Sequence, residues 1–217
     1  MNLNLILKHS KIKNLSYDTQ ITEIPMSNLV NFDYKKILKP FPANTSKETQ
    51  KELGLISKLT TNRNKEDCEL IYKMDEDIDS YYKDITNKLN LSYPQGYIDL
   101  FYDIMRPVLM NLKSYWNRPR PNQLAELYNI SINRIVTDTI HTASYPSGHT
   151  SYSRLVCRIL SEMYPVLSNR FESVVALTEI ARMKQGVHYP SDNKASIVFA
   201  DYFYDQIHPK IVKYRKG

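Results

Sequence analysis

ASYPSGHTSYSRLVCRILSEM, residues 143–163, changes character near Thr150. Before that point the stretch holds serine, proline, glycine and histidine. After it, Tyr152, Leu155, Val156, Ile159, Leu160 and Met163 recur at three- and four-residue spacing, which predicts an amphipathic helix from Ser151 to Met163. Ser147 reads as its cap. The same period appears on both sides. Leu70, Met74, Ile78, Tyr82, Ile85 and Leu89 predict one helix between Glu66 and Leu89. Tyr97, Leu100, Ile104, Val108 and Leu112 predict another from Tyr97 to about Lys113, kinked at Pro107. Phe171, Val174, Leu177 and Ala181 mark a further apolar stripe, and Pro190 suits the first turn of a last helix reaching about Ile207. No strand-like alternation, internal repeat or glycine-rich linker occurs, so the fold class is all-α, a single-domain helical bundle.

A chain of 217 residues, 42% of them hydrophobic, can bury one core without needing a second domain. Within 1–217, residues 1–45 carry Pro25, Pro40 and Pro42 and read as an extended arm over the surface. Residues 46–95, opening at a cap on Thr45 or Ser46, read as accessory helices, and 96–210 as the core. Cys68 and Cys157 match no metal or redox spacing, which fits a reducing compartment. The N-terminal lysines follow the short apolar stretch rather than precede it, unlike a secretory signal. No apolar run reaches the eighteen or so residues of a spanning helix. A soluble, cytoplasmic protein is therefore expected. The net charge of +6 suits an anionic ligand and is equally common in ordinary lysine-rich proteins.

The chain has five glycines, and one of them, Gly148, lies at the predicted helix start. There, unpaired backbone amides and the helix dipole favour an anion, and glycine lets a ligand come close to the main chain. Ser147 adds a hydroxyl. Taken alone, the segment reads first as a serine cap followed by a surface histidine, His149. KSYWNRPRP sets Lys113 six residues ahead of the Arg120-Pro121 pair, a point charge and a planar fork that suit a tetrahedral oxyanion; alone it reads as a solvated basic turn. ARMKQGVHYPSD sets Arg182, His188 and Asp192 across a helix end, where Gly186 can cap, and a helix start at Pro190. A carboxylate on one imidazole nitrogen raises the basicity of the other, although such a pair also serves as a structural hydrogen bond.

Together, Lys113-x6-Arg120-Pro121, Pro146-Ser147-Gly148-His149 and Arg182-x5-His188-x3-Asp192 resemble the signature of the type 2 phosphatidic acid phosphatase (PAP2) superfamily. The motifs span Lys113 to Asp192, and the first hundred residues carry none of the resemblance. Ala181 stands where that family usually has serine. The resemblance implies a helical bundle of the PAP2, acid phosphatase and vanadium haloperoxidase type. It implies hydrolysis of small phosphomonoesters through a phosphohistidine, with neither metal nor cofactor. His188 would be the nucleophile, Asp192 its orienting partner and His149 the acid for the leaving oxygen. Lys113, Arg120, Ser147, Gly148 and Arg182 would hold the phosphoryl oxygens. Without spanning segments the chain looks like the soluble branch, similar to bacterial class A acid phosphatases. The alternatives are a vanadium-dependent haloperoxidase, a lipid-phosphate phosphatase working at a membrane surface, and a basic protein whose KHSKIK and KIVKYRKG ends meet nucleic acid. No nucleic-acid partner is expected on the enzyme reading, and a homo-oligomer is compatible with the sequence.

Overall fold

In the computed structural model, residues 3–17 and 34–215 are described, and their secondary structure is helical throughout, with no strand. The helices are α1 (Leu3–Asn14), α2 (Tyr34–Ile37), α3 (Lys47–Thr61), α4 (Lys65–Glu76), α5 (Asp79–Asn87), α6 (Gln95–Trp116), α7 (Pro121–Leu127), α8 (Gly148–Met163), α9 (Ser168–Gln185) and α10 (Pro190–Arg215). A short 3-10 turn, Pro165–Leu167, joins α8 to α9.

Helix α8 is the centre of the bundle and packs on α6, α9 and α10. Its predicted stripe faces inward: Leu155, Val156, Ile159 and Leu160 are all at most 1% exposed. Met163, at the helix end, is instead exposed. On α9 the buried stripe is Phe171, Val174, Val175, Thr178 and Ala181, while Leu177 faces outward. Thr178 replaces it because its hydroxyl is satisfied by Val174 O at 2.9 Å and Ser153 Oγ at 3.1 Å, so a small polar residue can enter the core at no hydrogen-bond loss.

The stretch expected to be one helix over 66–89 is two, although the stripe Met74, Ile78, Tyr82 stays in the core across the break. Asp77 leaves helical geometry, its carboxylate accepts from Ser80 N at 3.1 Å, and Ser80 Oγ donates to Asp77 O at 2.8 Å. These local bonds compete with the helical ladder and restart the chain as α5. The expected extended arm also differs. Residues 3–14 form α1, which packs on α7 and places Ile12 in a small cluster with Leu53, Ile56, Leu124 and Tyr189. The 18–33 portion of the arm lies outside the described residues.

The C-terminus of α9 decides where the next residues point. Gly186 sits at φ +83°, and Val187 N returns to Arg182 O at 3.3 Å. This left-handed cap turns the chain so that Val187, His188 and Tyr189 enter the interior. A Cβ at Gly186 would stand 2.9 Å from Ile132 Cγ2 and 3.2 Å from the Arg134 backbone. Gly54, inside α3, has nothing within 4 Å. Gly186→Ala is expected to cost about 2 kcal/mol or more, whereas Gly54→Ala should gain about 0.5–1 kcal/mol, both read from urea midpoints.

Candidate active site

Asp192 stands on the first turn of α10 and reaches back, accepting from Tyr189 N at 3.0 Å, which holds the chain that precedes the helix. The same oxygen accepts from Ser144 Oγ at 2.5 Å and lies 3.2 Å from His188 Nδ1. Its other oxygen accepts from Arg118 Nη1 at 2.6 Å, with both side chains 0% exposed. Burial alone would raise the Asp192 pKa; the Arg118 charge and then the His188 hydrogen bond hold it far below the usual carboxylate range. Arg118 in turn donates to Ser191 Oγ at 2.7 Å and to Glu52 Oε2 at 3.1 Å. Its guanidinium lies between the rings of Phe41 and Tyr189, 4.8 and 3.7 Å from their centroids. Such a planar, weakly hydrated cation is one of the few that can be buried this way.

His188 is 1% exposed. A carboxylate at Nδ1 and the Arg120 Nη1 donor 3.3 Å from Nε2 assign the proton to Nδ1 and leave a lone pair on Nε2. Burial, and then the Arg120 charge, push its pKa well below the ordinary histidine value, so the ring is neutral. Arg120 is fixed by Thr142 O at 2.9 Å and Val187 O at 2.9 Å. Lys113, in the last turn of α6, donates to Ala143 O at 2.7 Å. Its pKa is pushed far down, first by burial and then by Arg120. Arg182 is 1% exposed and makes one side-chain pair, Nη1 to Asp75 Oδ1 at 2.5 Å; its Nε and Nη2 have no partner among the described residues. Buried donors of this kind are costly unless a ligand accepts from them.

These groups face one cavity of about 540 Å³, lined at its inner end by Lys113, Arg120, Gly148, His149, Arg182 and His188. The site residues expected from the sequence thus converge, with Asp192 directly behind His188. Ser147 is placed differently. It is fully buried at the start of α8; its Oγ accepts from Thr150 N at 3.4 Å and donates to Thr150 Oγ1 at 3.1 Å. It is a helix cap and is not among the cavity-lining residues. Gly148 has no left-handed backbone, and a Cβ there would meet only Leu109 Cδ2 at 3.6 Å. Nothing among the described residues demands glycine at this position, and the space in front of the helix is open to a ligand.

His149 Nε2 lies 3.4 Å from Asp75 Oδ1. Burial and then the Arg182 charge lower its pKa to about 3, against the pull of Asp75. Asp75 also accepts from Thr139 Oγ1 at 2.6 Å. Burial works to raise its pKa, but the Thr139 bond and the Arg182 charge keep it low. The sequence reading passed over Asp75, Arg118, Ser144 and Glu52. Arg118 falls inside the quoted KSYWNRPRP, but nothing local distinguishes it from its neighbours. Ala181, in place of serine, is buried in the core, and Arg182 takes its support from Asp75 instead. Among the described residues no group of three or more His, Cys, Asp or Glu is placed to hold a metal ion.

Residues 99–203 match the family model described as the PAP2 superfamily, and this span contains every site residue expected from the sequence. Over that span the chain is PAP2-like in sequence. The PAP2 match leaves Glu52 and Asp75 outside it. The crystal structure of a transmembrane PAP2-type phosphatidylglycerolphosphate phosphatase from Bacillus subtilis is similar over 78% of this chain and 89% of that one, with a TM-score of 0.51 and 16% identity. At that identity the likeness is one of fold. No curated protein matches the chain. Unlike a transmembrane PAP2 protein, this one has, among its described residues, no helix long and apolar enough to cross a membrane.

A site with this many buried cations should be stabilised by an oxyanion. Sulfate at about 100 times its dissociation constant is expected to add about 2.7 kcal/mol, or roughly 5–10 °C in Tm. Gly148→Ala should keep the wild-type Tm without ligand and bind sulfate about tenfold more weakly by calorimetry, because the added methyl stands where the anion meets the helix amides.

Proposed function

We propose that this protein is a PAP2-type phosphatase that hydrolyses phosphomonoesters through a phosphohistidine on His188, without a metal. The observation that carries this reading is the state of His188. It is a neutral imidazole whose proton is tied to Asp192 and whose Nε2 lone pair lies beside Arg120, in a cavity where Arg182 has two unused donors. A phosphoryl group bound there would find charge-assisted donors from Arg120, Arg182 and Lys113 and the amides at the start of α8. Phosphoryl transfer asks little more than in-line placement and such stabilisation.

In the first step the Nε2 lone pair forms a bond to phosphorus while the bond from phosphorus to the alcohol oxygen breaks. Asp192 and Ser144 keep the ring oriented, and the imidazolium charge that develops is balanced by the Asp192 carboxylate. His149 gives its proton to the departing oxygen. In the second step His149 takes a proton from water, the hydroxide attacks phosphorus, and the bond from phosphorus to His188 breaks. Ser147 supports this by capping α8 rather than by touching phosphate. The acid phosphatase character is part of the same reading. The absence of apolar spanning helices among the described residues favours dissolved phosphomonoesters over bilayer lipids.

His149 must be protonated to act as the acid, yet burial and the Arg182 charge place its pKa at about 3 before a substrate binds. A bound dianion reverses the balance, since negative charge beside the ring favours imidazolium and offsets Arg182. Between pH 5 and 7 His149 is therefore neutral before binding, and anion binding takes up a proton. Affinity for a dianion should be highest below the raised, bound-state pKa and should fall as pH climbs through it. Calorimetry of sulfate binding in buffers of different ionisation enthalpy should show proton uptake that His149→Ala removes. Uptake unchanged in that variant would place the proton on another cavity group with a depressed pKa, Lys113, His188 or Asp75.

The two histidines should also separate in rapid-quench labelling. His188→Ala should abolish turnover and leave no phosphoenzyme. His149→Ala should lose about 10²- to 10⁴-fold in rate with alkyl phosphates and much less with p-nitrophenyl phosphate, and should accumulate label on the peptide containing His188. Label on Ser147 or His149 would overturn the assignment.

A further inference from the structure

The cavity is several times larger than a phosphoryl group requires, and its two ends differ in charge. The buried inner end holds the cations Lys113, Arg120 and Arg182, with Asp75 as its one lining carboxylate. The outer end is built by the α4–α5 junction, the first turns of α6 and one turn of α8. There Glu76, Asp77, Asp79 and Asp99 line the wall, against a single outer cation, Arg106. This acidic wall starts close to the chemistry. Tyr152 follows His149 by three residues on α8, about 4.5 Å along the helix axis. Its hydroxyl donates to Asp79 Oδ1 at 2.6 Å. The other Asp79 oxygen accepts from Gln95 Nε2 at 3.1 Å, and the same amide reaches Asp99 Oδ1 at 2.9 Å. Asp79 and Asp99 are thus held in place by neutral donors, and among the described residues neither carboxylate has an ion-pair partner. Tyr102 packs edge-on against Tyr152 at 4.8 Å and adds an aromatic surface to the same wall.

We infer that the alcohol portion of the substrate carries a positive charge, so that the preferred class is aminoalcohol phosphates, with phosphate at the inner cations and ammonium against Asp79, Asp99 and the tyrosine rings. The inference rests on the phosphatase reading for the inner end of the cavity, where the unpaired nitrogens of buried Arg182 point to an anion. The charge order of the cavity, cationic inside and anionic outside, matches a zwitterionic phosphomonoester end to end. An ammonium near two carboxylates gains Coulomb energy and can also lie on an aromatic face. A second negative charge on the alcohol, whether carboxylate or phosphate, would meet the same wall and be repelled. Arg106 is two helical turns from Lys113 on α6, too far to share its oxyanion, and leaves the outer wall net negative.

The test uses the full chain and three phosphonates of matched length: aminopropyl-, butyl- and carboxypropylphosphonate, with affinities measured by calorimetry at low ionic strength. The amino ligand should bind most tightly and the carboxyl ligand least, with a ratio between them of about a hundredfold. That ratio should shrink several-fold in 0.5 M salt, where the Debye length falls to about 4 Å. Asp79→Asn keeps an acceptor for Tyr152 and removes the charge, and should narrow the ratio about tenfold. If that variant does not fold, the salt dependence of the wild-type ratio carries the same information. Equal affinities, or a preference for the carboxyl ligand, would overturn the inference. Hydrolysis of p-nitrophenyl phosphate separates the two readings: selectivity without hydrolysis would sink the phosphatase assignment alone, and hydrolysis without selectivity would sink the aminoalcohol inference alone.

Discussion

The buried pair between Arg118 and Asp192 is the constraint on which the rest of the site depends. Both side chains are fully inaccessible, and their nearest approach is 2.6 Å. Removing one member of such a pair leaves an uncompensated interior charge and costs about 3–5 kcal/mol. Its reach is wide for a single contact. Through Asp192 it fixes His188 and the entry to α10; through Arg118 it holds the turn between α6 and α7; and through Glu52 it ties in α3, which accepts from Ser191 N at 2.7 Å as well. Each bond in this network satisfies a group that could not be buried alone, so the parts are stable only together.

Around that pair the interior holds more positive than negative charge. Lys113, Arg118, Arg120 and Arg182 are all at most 2% exposed, and the carboxylates in contact with them are Glu52, Asp75 and Asp192. Burial first, and then the neighbouring cations Arg120 and Arg182 respectively, depress the pKa values of Lys113 and Arg120, the latter to about 10. A folded state that tolerates this excess is prepared for an incoming anion, because the desolvation has already been met during folding rather than at binding.

The bundle was legible in the sequence because its stripes are long and regular. The stripe of α8 was read directly, and Gly186 as a cap followed from its place between Arg182 and Pro190; on α6 only Val108 and Leu112 of the expected stripe are buried, Leu100 is exposed, and the core face is instead Ile98, Phe101, Met105, Val108 and Leu112. The break at Asp77 was not readable, since the apolar period runs straight across it and a single aspartate–serine pair redirects the backbone. α1 was hidden because its one described buried residue, Ile12, gives no periodic signal. In the site, Lys113, Arg120, Gly148, His149, Arg182, His188 and Asp192 could be found because each sits in a short motif with fixed spacing. Arg118 and Asp75 could not. Their meaning comes from partners 74 and 107 residues away, which only the fold brings near. Ser147 differs from them: its motif suggested a ligand role, while its hydroxyl accepts from Thr150 N and gives its proton to Thr150 Oγ1.

Glu52 meets Ser191 across 139 residues, and Asp75 meets Arg182 across 107. During synthesis the chain emerges from its amino end, so Lys113, Arg118 and Arg120 leave the ribosome well before Asp192 does. Until α10 follows, those cations have no interior to enter and must remain hydrated. The order of synthesis therefore keeps this part of the pocket wet until α10 supplies the Asp192 carboxylate that receives Arg118.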